Sequence, residues 1–245
     1  MTEIYRFDGK TTSNEIKIIY EDNHIISVVK PAGILSQGDA SQDTDLLSLL
    51  KQDLKTRYNK PYDAFVGLVH RLDRNTGGTM VYAKTSKGAS RLSKQLRDKE
   101  FKKGYFAIVD GIVKKDGRLT NKLEKDSKTN KVYESDEGKL SILEYKVIDC
   151  IGDMSLVFVI PITGRTHQIR AQMASFGHPL IGDVKYGYKK NMGDFFALWS
   201  SCIKIKHVTL DKKLLLQSIP ERSNVWSKFK EKTYIDALNE IGDVL

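Results

Sequence analysis

The chain has 245 residues, of which 40% are hydrophobic and 29% charged, enough apolar material to bury a sizeable core and too much for a disordered chain. Forty Lys and Arg against thirty-one Asp and Glu leave a formal charge of +9, which favours a polyanionic partner, nucleic acid before acidic membrane. No apolar run approaches the ~20 residues needed to cross a bilayer.

The polar start from Met1 to Lys10 offers no signal-peptide core. Cys150 and Cys202 lie in apolar, strand-like contexts that suit reduced, buried thiols, and a cytoplasmic location is expected. Residues 1–14 are expected to form a loose polar lead-in to one domain spanning 15–245. Ile16 to Tyr20 and Ile25 to Val29 read as short strands around the turn-prone Glu21-Asp22-Asn23. Lys30-Pro31-Ala32-Gly33 breaks the second strand, because proline lacks the ladder donor and glycine tolerates positive φ.

Asp45 to Tyr58 reads as a helix, with Leu46, Leu49, Leu50 and Leu54 at helical spacing and Thr44 or Asp45 as N-cap. Phe65 to Val69 and Thr79 to Lys84 read as strands flanking a loop, His70 to Gly78. Ser86 to Lys99 is a second helix with Leu92 and Leu96 on one face, and Tyr105 to Val109 another strand, closed by Asp110-Gly111. Lys114 to Lys139 is heavily charged with few large apolar residues. It is either a solvated, strand-bearing excursion or an arm that contacts phosphate, since several lysines and Arg118 lie within it.

Leu140 to Ile148 and Leu156 to Ile160 suggest a hairpin around Gly152-Asp153. Thr163-Gly164 then turns into a helix over Thr166 to Phe176, stopped by Gly177. The turn Gly182-Asp183, a short basic loop, strands near Phe195 to Ile205 and a helix over Trp226 to Leu238 complete the chain. Strands outnumber helices and alternate irregularly, so the expected class is α+β with a mostly antiparallel or mixed sheet.

The most informative segment is Gly67-Leu68-Val69-His70-Arg71-Leu72-Asp73-Arg74-Asn75-Thr76-Gly77-Gly78. An apolar strand ends in a carboxylate flanked by two arginines, which would favour its ionised form and suit it to act as a nucleophile. Taken alone, an Arg-X-Asp-Arg string is more often a surface ion-pair cluster. A kinase catalytic loop is excluded: Leu72 separates the arginine from Asp73, and no glycine-rich phosphate loop, Asp-Phe-Gly or Walker lysine accompanies it.

His70 through Gly78 resembles the signature of the RluA-type family of RNA pseudouridine synthases. Phe101-Lys102-Lys103-Gly104-Tyr105-Phe106-Ala107-Ile108-Val109-Asp110-Gly111 resembles the family's second motif. Thr163-Gly164-Arg165-Thr166-His167-Gln168-Ile169-Arg170-Ala171-Gln172-Met173, followed by Gly177-His178-Pro179-Leu180-Ile181-Gly182-Asp183, resembles its third. The matches run in order from about Ile18 to His207. The family often has Asp where this chain has Asn75 and Ser where it has Gly77.

The resemblance implies a catalytic fold made of a mixed, mostly antiparallel bent sheet flanked by helices, with a cleft across its middle. The small N-terminal RNA-binding domain of some members is not expected. It implies that Asp73 is the nucleophile, that Tyr105 lies against the target base, and that Arg170 pairs with Asp73. An arginine on the first turns of a helix needs a carboxylate or phosphate partner if it is buried, and Asp73 is the natural one. Arg165 is expected to meet RNA phosphate, and Arg71 the flanking backbone or the extruded nucleotide. His167 and His178 lack a metal-ligand constellation and read as hydrogen-bonding or packing residues.

The implied reaction isomerises uridines in structured RNA, ribosomal or transfer. It breaks the C1′–N1 bond, turns the uracil and joins C1′ to C5, so neither cofactor nor metal is required. A monomer is expected. One alternative is a non-catalytic RNA-binding protein on the same scaffold, for which Asn75 and Gly77 leave some room. A carboxylate-dependent glycosidase would need a second catalytic carboxylate, and none is evident near the motifs.

Overall fold

In the computed structural model, which describes residues 2–242, the elements alternate as irregularly as the sequence suggests. Met1 of the expected lead-in and residues 243–245 of the expected domain lie outside the described residues. The first elements are β1 (Thr2–Tyr5), β2 (Ile18–Glu21), β3 (Ile25–Lys30), α1 (Leu46–Arg57), β4 (Gly67–Leu68), β5 (Gly77–Ala83) and α2 (Ser86–Arg97). Next come β6 (Lys102–Asp110), β7 (Gly117–Lys125), β8 (Val132–Glu134), β9 (Lys139–Ile151), β10 (Met154–Pro161) and α3 (Gln168–Ser175). The last are β11 (Leu198–Lys206), β12 (Lys213–Gln217) and α4 (Glu231–Gly242), with 3₁₀ turns at Val184–Tyr186 and Asn224–Lys228.

Two units divide the chain: residues 2–103 with 200–220, and residues 104–199 with 221–242. In the first, the strand order is β2-β3-β5-β11-β12-β1, and β4 adds to the end of β5. β3 and β5 are buried along their whole length, which explains why they are written as nearly unbroken apolar runs. Helix α1 is capped by Asp45, whose carboxylate accepts the Ser48 N–H at 3.0 Å, and buries Leu46, Leu50 and Leu54. Thr85 caps α2 in the same way through the Gly88 N–H. Gln95 of α2 then bonds both the N–H and the C=O of Lys206, tying the helix to the end of β11.

In the second unit the order is β6-β10-β9-β7-β8. Phe106 and Phe158, paired across β6 and β10, pack edge to face, and Tyr234 of α4 packs on Phe106. The β1–β12 pair is parallel and the other pairings with a recorded register are antiparallel. The class is therefore α+β with a mostly antiparallel sheet, as expected. No helix among the described residues is long and apolar enough to cross a membrane.

Several local expectations are corrected. The polar lead-in is not loose at its start, because Thr2 to Tyr5 zip in parallel onto Lys213 to Leu216. The partner β12 was itself not expected, since Leu214, Leu215 and Leu216 form too short an apolar run to stand out. The C-terminal helix begins five residues late: Trp226 lies in a 3₁₀ turn, and a fully buried, extended Phe229 interrupts the chain before α4. Cys150 is exposed at the end of β9, with Sγ 3.4 Å from the Ser155 hydroxyl, while Cys202 is buried; both are free thiols.

Candidate active site

The loop from His70 to Thr76 is pinned at successive peptides. The Ser36 hydroxyl accepts the Leu72 N–H at 3.0 Å and donates to the Leu72 carbonyl at 2.9 Å. The Ser36 carbonyl is in turn held by the Tyr82 hydroxyl. The Asp73 carbonyl accepts the Thr76 N–H at 3.1 Å, and the Arg74 carbonyl accepts the Gly33 N–H at 2.9 Å. Leu72 is buried, Asp73 half-buried and Arg71 exposed, so the loop's backbone is fixed while Asp73 keeps partial access to solvent. Gly78 closes the loop at φ +117°, and any Cβ there would lie 2.2 Å from the Ser200 carbonyl of β11. Only glycine admits that approach.

The cation beneath this loop was missed in the sequence. Lys30 is fully buried, and its ammonium donates to the carbonyls of Pro31 at 2.9 Å, Ile34 at 2.6 Å and Arg74 at 2.8 Å. Three carbonyls take the three N–H donors of a protonated lysine. Burial pushes its pKa down to about 7, the Asp73 carboxylate pulls it up, and Arg74 pushes it down. Asp73 thus has a buried positive charge close enough to act on it. Arg74, next in the chain, pairs with Asp43.

His70 is also buried. Its Nε2 accepts the Val81 N–H at 3.1 Å, its ring packs on Phe101, and its Nδ1 has no partner among the described residues. Burial, with a smaller push from Lys103, lowers its pKa to about 3. Below the unfolded value near 6.5 the unfolded chain takes up a proton that the folded one refuses, so stability falls as pH falls from 6.5 towards 3. The expected slope is about 1.4 kcal/mol per pH unit. Glu21, pushed up by burial but drawn down to about 2 by Lys84 and Arg57, loses its stabilising effect only below about pH 4.5. Urea midpoints between about pH 6.5 and 4.5 should therefore isolate the histidine, with a loss of roughly 2–3 kcal/mol that His70→Gln removes. An identical slope in the variant would mean that another group titrates.

Tyr105, Arg165 and Arg170 belong to the second unit. Tyr105 is buried on β6 opposite Val159. The turn into α3 is locked by Gln168, whose side-chain carbonyl accepts the Thr163 hydroxyl and the Arg165 N–H, while its amide donates to the Ile142 carbonyl. His167 sits at the helix N-cap in the left-handed region, φ 49°, and bonds the Tyr186 hydroxyl through Nδ1 at 2.9 Å. His178 bonds the Asp110 carbonyl at 2.7 Å. Both histidines serve hydrogen bonding, as read. Arg165 is exposed, its Nε 3.4 Å from the Leu140 carbonyl.

Arg170 is buried and forked onto a residue that the sequence reading left as a turn. Its Nε donates to Asp183 Oδ2 at 2.7 Å and its Nη2 to Oδ1 at 2.8 Å. The guanidinium lies over the rings of Phe196, at 4.1 Å, and Tyr186, at 4.9 Å. Asp183 is presented by Gly182 at φ +86°, where a Cβ would meet the Phe195 carbonyl at 2.5 Å. Such a bidentate pair fixes the plane of the guanidinium as well as its charge.

The sequence of this chain matches the RNA pseudouridylate synthase family over residues 24–175, which include the pinned loop, β6 and all of α3. The chain belongs to that family. It is 37% identical over 175 residues to the ribosomal large subunit pseudouridine synthase D of Pseudomonas aeruginosa, covering 71% of this chain and 54% of that relative. To the ribosomal large subunit pseudouridine synthase C of Vibrio parahaemolyticus it is 34% identical over 212 residues, 83% of this chain and 65% of the relative. This family member thus spans roughly half to two-thirds of the length of those relatives. Two solved structures share the fold: human RNA pseudouridylate synthase domain containing 1, with TM-score 0.71 and 19% identity, and domain containing 4, with 0.69 and 21%. Each alignment covers 91% of this chain, and 94% and 92% of the respective human chain.

Proposed function

We propose that the protein isomerises uridines to pseudouridine in folded RNA, with large-subunit ribosomal RNA as the substrate class and Asp73 as nucleophile. The observation that carries the reading is Asp73 itself: a reachable carboxylate on a loop held at successive peptides, within the family's matched segment and under the charge of Lys30. Relatives described as large-subunit ribosomal synthases support the choice of RNA. The compartment proposed is the cytoplasm.

In the proposed cycle the target uridine leaves its stack, at a cost of a few kcal/mol. Asp73 attacks the nucleotide, the C1′–N1 bond breaks, and the bond to Asp73 breaks again before the product leaves, so the carboxylate is regenerated. The uracil turns, C5 bonds to C1′, the C5 proton leaves and N1 gains one, so the product is an isomer of the substrate. Tyr105 stacks on the base while it turns. Arg170, held in plane by Asp183, binds the substrate. Arg71 and Arg165 contact the RNA backbone.

The test is to incubate the purified chain with ribosomal and transfer RNA from cells lacking it, and to map pseudouridine at each position. New pseudouridine at one or a few large-subunit positions is expected. Transfer RNA modified in its place would replace the substrate class, and no product in either pool would refute the activity.

A further inference from the structure

The charged stretch between β6 and β9 is polarised and anchored. At one end the turn joining β7 to β8 exposes Lys125, Lys128 and Lys131. The single acid of that turn, Asp126, is directed into it, accepting the N–H groups of Lys128 and Thr129 and the Thr129 hydroxyl. The other end, where β8 turns into β9, exposes Glu134, Asp136 and Glu137. A polyanion approaching this hairpin is drawn to the first end and repelled from the second.

The basic turn is also held. The Asp126 N–H bonds the Lys131 carbonyl at 2.9 Å. The Lys185 ammonium donates to the carbonyls of Thr129 and Asn130 at 3.1 and 2.9 Å. The Tyr186 hydroxyl accepts the Val132 N–H at 2.9 Å. Leu123, Val132, Ala171 and Tyr186 form a small apolar cluster under it. These anchors come from α3 and from the 3₁₀ turn after Asp183, the elements that position Arg170. A solvated excursion has no use for them, whereas a surface ordered in advance loses less entropy when it binds.

We propose that the turn from Lys125 to Lys131 is a docking surface for the phosphate backbone of the substrate RNA, placed by its anchors in fixed register with the Arg170 helix. The inference rests on the pseudouridine synthase reading and adds where the RNA outside the target nucleotide is held. Its cations act on affinity and its salt dependence, and leave the chemical step alone.

Replacing Lys125, Lys128 and Lys131 together by Gln tests it, with the Lys→Arg triple and Glu134→Gln/Glu137→Gln as controls. Binding of a large-subunit ribosomal RNA transcript is followed by filter retention over about 50 to 300 mM salt. Losing three phosphate contacts should flatten the plot of log K against log salt by about two units. KM for the RNA should rise about tenfold or more, with kcat within about twofold. The Arg triple should keep the wild-type slope, and the Gln pair should leave it unchanged or steepen it. An unaltered slope in the Lys→Gln triple would overturn the docking surface, as would a Glu→Gln pair that flattens it equally. The salt series needs no turnover, so a wild type that binds RNA but makes no pseudouridine would fail the catalytic reading while still deciding this one.

Discussion

Asp73→Asn is expected to lower single-turnover pseudouridine formation by at least about 10⁴-fold while RNA affinity stays within about threefold. The substitution keeps the side chain's size and replaces one carboxylate oxygen by a neutral amide. It therefore removes a nucleophile without disturbing the contacts that shape the loop. Those contacts are made by backbone: Ser36 holds Leu72, Thr76 holds the Asp73 carbonyl, and Gly33 and Lys30 hold the Arg74 carbonyl. Because these contacts fix the loop through its peptide groups, unfolding free energy from urea titration should fall by no more than about 2 kcal/mol. Lys30 loses an attractive charge and becomes still easier to deprotonate. The loss of activity and the retained fold together separate a nucleophile from a loop brace. Isomerisation above about one per cent of wild type would remove Asp73 from the role. A large drop in stability would show that the carboxylate holds the loop.

The Asp73 segment was legible because its chemistry is contiguous: an apolar approach, a carboxylate and two glycines lie within twelve residues. Lys30 was not, because its role is set by three carbonyls, one of them 44 residues away. A lysine before proline reads as the end of a strand. The Arg74–Asp43 pair spans 31 residues, so it too has no local signal. Arg170 was correctly read as needing a carboxylate, but Asp183, thirteen residues on, looked like half of a Gly-Asp turn. Helices α1 and α2 were legible from leucine spacing, and α1 also from its cap, both local. The β1–β12 pair joins opposite ends of the chain, and Thr2 to Tyr5 carries no apolar run to announce it. What failed was consistently what depends on a distant partner.

Removing Arg170 alone from its pair with Asp183 should cost about 3–5 kcal/mol of stability, because the Asp183 side chain is only 1% exposed and loses the partner of its buried charge. Arg170→Ala strands the Asp183 carboxylate and also removes the guanidinium from the rings of Phe196 and Tyr186. The double variant Arg170→Met/Asp183→Leu removes both charges and refills much of the volume. It should return to within about 2 kcal/mol of wild type in urea, since apolar replacement of a buried pair is often neutral or better. Activity should not return with it. If the fork existed only to hold α3 in place, a restored fold would restore turnover, and pseudouridine formation by the stable double variant would show that. If Arg170 serves turnover beyond holding the fold, the double variant is folded, binds RNA and is inactive. Asp183→Asn then reports the intermediate case: the fork keeps one acceptor oxygen but loses its charge, so kcat should fall further than stability alone predicts, with KM nearly unchanged.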